Sequence, residues 1–122
     1  MKEKLIDVST WNGNIDWYKV YKSGVRYAMI RSSFGVANPN QVDNKFARNI
    51  TNAQKVGVKY GVYHYSYAQS VAEAQREADF CLKTIKGYKL DLPVAFDIED
   101  SSQTHLGKDT LTSIVILSLI HI

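Results

Sequence analysis

Apolar residues in this chain follow two alternating rhythms. Short runs rich in valine, isoleucine, tyrosine and phenylalanine fall near residues 5–9, 27–32, 61–65 and 93–97. Runs of this kind, bounded by turn residues, predict strands. Between them the apolar positions recur at three- and four-residue spacing. Phe46, Ile50 and Ala53 share one helical face in a segment that Asp43 is placed to cap and Gly57 to end. Ser70 and Glu73 make a capping box ahead of Val71, Ala74, Ala78, Leu82 and Ile85, with Gly87 closing the helix. A shorter helix is predicted from Asp16 through Trp17 and Val20 to Gly24.

A weak repeat ties these elements together. Gly24-Val25-Arg26-Tyr27 returns as Gly57-Val58-Lys59-Tyr60, and Gly87-Tyr88-Lys89 starts a looser third copy. Aligned this way, Arg31, His64 and Asp97 share one column, 33 residues apart. A period near 30 residues is that of a strand plus a helix, and strands alternating with helices build a parallel sheet. The fold class expected is therefore α/β, with about four parallel βα units in one domain and no linker between them. At 122 residues the chain is short for a closed eight-stranded βα barrel, which takes about 200 or more. The expected organisation is a unit over residues 1–109 followed by an apolar tail at 110–122. That tail, Thr-Leu-Thr-Ser-Ile-Val-Ile-Leu-Ser-Leu-Ile-His-Ile, has no polar face, so burial against something is expected. It suggests a truncated chain or non-native last residues.

Composition removes several classes. The net charge of +3 and a pI near 8.9 suit adsorption to an anionic polymer, and no basic cluster interleaved with aromatics argues for nucleic acid. Cys81 is the only cysteine, which rules out an internal disulfide, and its apolar surroundings predict a buried structural thiol. Nothing reaches the roughly 20 apolar residues of a membrane span. The first residues lack the apolar core of a signal peptide, so the cytoplasm of the producing cell is the expected location. No obligate protein partner is predicted.

The chemistry concentrates at the carboxyl ends of the predicted strands, where parallel βα sheets place their sites. Strand one ends in Asp7-Val8-Ser9, strand two in Arg31-Ser32-Ser33, strand three in Tyr63-His64-Tyr65-Ser66-Tyr67, and strand four in Asp97-Ile98-Glu99-Asp100. Residues two apart in a strand face the same side, about 6.5–7 Å apart, so Asp97 and Glu99 are expected to share one spot. Crowded carboxylates raise the proton affinity of at least one of them, and a protonated acid beside an ionised one suits cleavage of a glycosidic bond.

The other positions have structural alternatives. Asp7 can cap a turn, Arg31 can serve as an ion-pair partner, and His64 can be a hydrogen-bonded core residue. Tyr63, Tyr65 and Tyr67 can be core or a platform for sugar rings. A divalent cation on Asp7, His64, Asp97 and Glu99 is the main chemical rival, although no recognised ligand spacing supports it. No cofactor and no metal are expected, and there is no phosphate loop and no nucleophile elbow.

These segments resemble the glycoside hydrolase family 25 lysozymes, the Chalaropsis-type muramidases common among phage endolysins. The likeness is carried by Ile6-Asp7-Val8-Ser9, Asn12-Gly13-Asn14-Ile15-Asp16-Trp17, Tyr27 to Gly35, Phe46, Gly57 to Tyr65, and Pro93 to Glu99, in order from about Leu5 to Asp100. The resemblance implies an incomplete TIM-like (β/α) barrel, residues 1–109 being the N-terminal part of such a catalytic domain. It implies hydrolysis of the β-1,4 bond between N-acetylmuramic acid and N-acetylglucosamine in bacterial peptidoglycan. Carried to this chain, Glu99 is the general acid, Asp97 stabilises developing positive charge or orients the substrate's acetamido group, and Asp7 tunes the pair. Arg31, Tyr63, His64, Tyr65 and Tyr67 are then candidate substrate contacts, and whether His64 or its tyrosine neighbours face inward is open. An endolysin without a signal sequence reaches the wall only after release from the cell. Two alternatives remain: an inactive fragment keeping part of a glycan-binding face, and a metal-dependent polysaccharide hydrolase.

Overall fold

The computed structural model describes residues 4–35, 39–98, 100 and 103. Glu99 and the apolar stretch at 110–122 lie outside them. In chain order the elements are β1 (Lys4–Val8), α1 (Trp17–Lys22), β2 (Val25–Phe34), α2 (Phe46–Val56), β3 (Lys59–Tyr65), α3 (Val71–Ile85) and β4 (Val94–Asp97), with short 3-10 turns at Thr10–Asn12 and Pro39–Gln41. The four strands form one parallel sheet in the order β1-β2-β3-β4. Sequential neighbours joined through helices make this a run of right-order βα units, as the alternating rhythms predict.

One face of the sheet is apolar and carries the helices. Val8, Ala28, Ile30 and Val62 meet Trp17, Phe46, Ile50 and Ala53 there, all buried. Each large side chain removed from water in this way contributes about 1.5–3 kcal/mol. Among the described residues no helix is long and apolar enough to cross a membrane.

Helix ends follow the sequence signals, with one exception. Asp16 caps α1, its Oδ1 accepting from Lys19 N at 3.1 Å. Ser70 Oγ accepts from Glu73 N at 3.2 Å, while the Glu73 carboxylate reaches back to Gln69 N at 2.8 Å. Gly57 ends α2 in the left-handed region at φ +90°, where a side chain is disfavoured. Asp43 is the exception. The residue before α2 is Lys45, which makes no side-chain cap, and the Asp43 carboxylate accepts from Lys45 N through one oxygen while the other serves distant partners.

The repeat misleads about register. Arg31 pairs with Tyr63, Tyr63 with Ala95, and Tyr65 with Asp97, each of these steps being 32 residues rather than 33. A one-residue slip turns a strand's side chain to the opposite face, so the column Arg31, His64, Asp97 does not exist in space. β2 also carries an irregularity between Arg31 and Ser33. The extra residue lets Ser32 and Ser33 both lie buried on the helix side.

Candidate active site

The sheet face that carries no helix among the described residues is the floor of a cavity of about 710 Å³. Alternation along the strands builds it. Asp7 comes from β1, Met29 and Arg31 from β2, Tyr63 and Tyr65 from β3, and Ala95 and Asp97 from β4. Gly61 precedes the tyrosines on the same face. A Cβ there would lie 2.6 Å from the Pro93 carbonyl oxygen and 3.0 Å from Met29 Sδ, so only glycine lets β4 approach this closely. The small residue sits low and the tall ones stand toward the carboxyl end of β3.

Two acids predicted from sequence, Asp7 and Asp97, thus line one cavity with Arg31, Tyr63, Tyr65 and Tyr67. Burial pushes the Tyr63 hydroxyl up to about 12. Arg31 pulls it down, and Asp7, Asp97 and Asp43 push it further up. Tyr63 is therefore a neutral hydrogen-bond donor at any physiological pH. Because its proton is held more tightly folded than unfolded, its contribution to stability is complete below about pH 10 and is lost as pH rises through 12. In an ultraviolet titration of tyrosinate absorbance, Tyr63→Phe is expected to remove the step near pH 12. A late step that survives the substitution belongs to another tyrosine.

Tyr65 donates its hydroxyl hydrogen to Asp100 Oδ1 at 3.2 Å, and Ser66 N donates to the Asp97 carbonyl at 2.8 Å. These bonds join the end of β3 to the segment that leaves β4. The Tyr65 and Tyr67 rings meet edge to face, with centroids 5.3 Å apart, and Tyr67 meets Phe34 in the same manner at 6.4 Å. A continuous aromatic wall results. Glu99, the other half of the expected carboxylate pair, lies outside the described residues.

Arg31 is an ion-pair partner that also lines the cavity. Its Nε donates to Asp43 Oδ2 at 2.9 Å, its Cζ lies 4.6 Å from the Phe34 ring centre, and it still lines the cavity. Asp43, expected from sequence to cap a helix, is a hub. Besides Arg31 it accepts from Thr10 N at 2.8 Å and from Lys45 N at 2.8 Å. Thr10 also hydrogen-bonds Asn44 through its hydroxyl. Asp43 therefore fixes the turn after β1 against the start of α2.

That turn presents Trp11, 86% exposed at the cavity rim, on a capping box between Ser9 and Asn12. Sequence reasoning missed Trp11, Phe34 and Asp43. The rule that sites gather at strand carboxyl ends could have found Trp11, whereas Phe34 is hidden by the irregularity in β2, which breaks the alternation.

His64 corrects the expectation that it contacts substrate. It is fully buried on the helix side of the sheet, because it alternates with the two inward tyrosines. Its Nδ1 lies 2.8 Å from Ser33 Oγ, its ring stacks on Phe96 at 5.5 Å, and Glu77 Oε2 is 3.9 Å from Nε2. The sheet separates it from Asp7 and Asp97, so His64 cannot share one cation with them. Glu77, also fully buried, accepts from Ser66 Oγ at 2.6 Å and from Tyr67 N at 2.9 Å. It fixes the loop that swings Tyr67 to the cavity. Cys81 is a buried thiol beside Ser32, pushed up by burial, as its surroundings in sequence suggest.

Comparison with known proteins gives this geometry a family context. The sequence profile described as "Glycosyl hydrolases family 25" matches residues 6–115. Lysozyme M1 of Streptomyces globisporus is 34% identical over 97 residues, covering 77% of this chain and 32% of the relative. The crystal structure of the bacterial lysozyme from Streptomyces coelicolor superposes with a TM-score of 0.82 at 26% identity, covering 99% of this chain and 57% of that one. The modular autolysin LytC from Streptococcus pneumoniae, in complex with a synthetic peptidoglycan ligand, gives a TM-score of 0.81 at 26% identity, over 98% of this chain and 29% of that one. The chain spans about a third of the length of the curated relatives it matches. The sheet and its helices have the α/β arrangement of TIM-like barrels.

Proposed function

The chain belongs to glycosyl hydrolase family 25, and from that premise we propose that it serves as a peptidoglycan muramidase, cleaving the β-1,4 bond between N-acetylmuramic acid and N-acetylglucosamine. The observation that carries the reading is the convergence of Asp7, Asp97, Arg31 and the three tyrosines on one cavity at the carboxyl ends of parallel strands. The solved relative that holds a synthetic peptidoglycan ligand supports the choice of polymer. In the proposed reaction Glu99 donates a proton to the leaving oxygen. Asp97 stabilises the positive charge growing on the sugar, or orients the acetamido group that attacks from within the substrate. Asp7, across the sheet from Asp97, sets the field in which that charge develops. The aromatic wall holds the pyranose rings in place. No metal or cofactor takes part.

The test is release of new reducing ends from purified peptidoglycan by the 122-residue chain. New reducing ends that persist in excess chelator are expected. Activity lost in chelator would assign the chemistry to a metal. Exposure of Trp11 and the continuous aromatic wall favour a second reading, a glycan-binding surface that does not cut. Sedimentation with the wall polymer in the absence of new ends would select it.

A further inference from the structure

Beside the main cavity a smaller one, of about 180 Å³, opens between the turn after β1 and the segment after β2. Trp11, Phe34 and Tyr67 give it aromatic walls, Thr10 and Asn44 add polar groups, and Arg31 closes its inner end. Arg31 is only 6% exposed, and its hydrogen bonding to the described residues runs through Nε alone, to Asp43. Arg31 lines both this cavity and the main one, and a guanidinium carries five N–H donors. A guanidinium that is nearly buried yet has donors to spare gains from an acceptor placed before it.

The neighbours say what kind of acceptor. Asp43 already balances the charge of Arg31 at 2.9 Å, and Asp7 and Asp97 line the adjoining cavity. A further anion would enter an acidic neighbourhood, whereas a neutral carbonyl oxygen would not be repelled. The aromatic walls suit a small apolar end on the same group. We propose that this side cavity receives an N-acetyl group of the glycan, with its carbonyl oxygen on the Arg31 Nη atoms and its methyl against Phe34 and Tyr67. The assignment rests on the reading of the chain as a glycan-binding hydrolase. Either amino sugar of the polymer would supply the same group, and chain ends of defined identity would separate the two.

The protein offers its own reporters. Trp11 is exposed at the side cavity, while Trp17 is buried with its indole N–H donated to Asn49 Oδ1 at 3.2 Å. A peptide-free glycan tetrasaccharide is titrated in three forms: N-acetylated, with the acetyl groups removed, and chemically re-acetylated. The acetylated forms are expected to shift the Trp11 indole resonance, leave that of Trp17 unmoved, and bind about tenfold or more tightly than the deacetylated form, as a charge-assisted hydrogen bond would give. Arg31→Lys, which keeps the charge opposite Asp43 but loses the fork, is expected to abolish the preference. The comparison of ligands on the unaltered protein does not depend on that variant folding. Equal affinity for all three forms, an unmoved Trp11 signal, or a preference that survives Arg31→Lys overturns the side-cavity assignment and leaves the hydrolase reading standing. If no form binds and no new reducing ends appear, both fall.

Discussion

Glu99→Gln is expected to slow the release of reducing ends from peptidoglycan by about 10²–10⁴-fold, the range that one positioned acid supplies, with the thermal midpoint unchanged. Asp97 lines the cavity at the last position of β4, and Glu99 follows it by two residues. Residues two apart in an extended strand face the same side, about 6.5–7 Å apart along the chain, the placement expected of these two carboxyls. Like charges crowded on one side raise the proton affinity of at least one of them. Glutamine keeps the size and the hydrogen-bonding reach of glutamate and removes the proton that must be delivered. Asp97→Asn makes the informative companion, since it removes charge from the cavity without removing the acid. Initial rates on purified wall material, with circular dichroism melting curves of each variant, decide the matter. An undiminished rate in Glu99→Gln would take the acid's role away from this residue.

The largest loss of stability is expected from Asp43→Ala, about 3–5 kcal/mol. The substitution leaves the Arg31 guanidinium nearly buried without its counter-charge. It also withdraws the acceptor from the amides of Thr10 and Lys45. A domain of this size has about 5–15 kcal/mol in hand, so the variant gives up a large share of it. Asp43→Asn keeps an acceptor but not the charge and should fall between the two. Denaturant unfolding with an unchanged slope measures the effect. A loss below about 1 kcal/mol for the alanine variant would show that Arg31 finds another partner. The same bonds hold the Trp11 turn, so Asp43→Asn is also expected to weaken glycan binding more than it weakens the fold.

Much of this molecule is written locally. The period-two runs, the helical faces, the caps at Asp16 and Ser70 and the stop at Gly57 each depend on a few neighbouring residues, and each recurs in the structure. The placement of chemistry at strand carboxyl ends was equally legible, because helix and strand alternate and a parallel sheet has only one such end. That rule placed Asp7, Arg31, the run from Tyr63 to Tyr67 and Asp97 at one end of the sheet, where the structure lines a cavity with Asp7, Arg31, the three tyrosines and Asp97.

What the sequence left undecided was register and distant pairing. The repeat put His64 level with Asp97, and a slip of one residue sent it through the sheet to Ser33, Phe96 and Glu77. Asp43 reads as a helix cap because its nearest amides are local, yet its carboxylate also holds Arg31 and Thr10, 12 and 33 positions away. The irregularity in β2 that lets Ser32 and Ser33 both lie on the helix side has no sequence mark. Local propensity by itself determined which segments become strands and helices and which end of the sheet carries polar groups. Only tertiary packing decided which face each strand residue shows and which buried charges meet, because those depend on hydrogen bonds and contacts between segments that propensity does not couple.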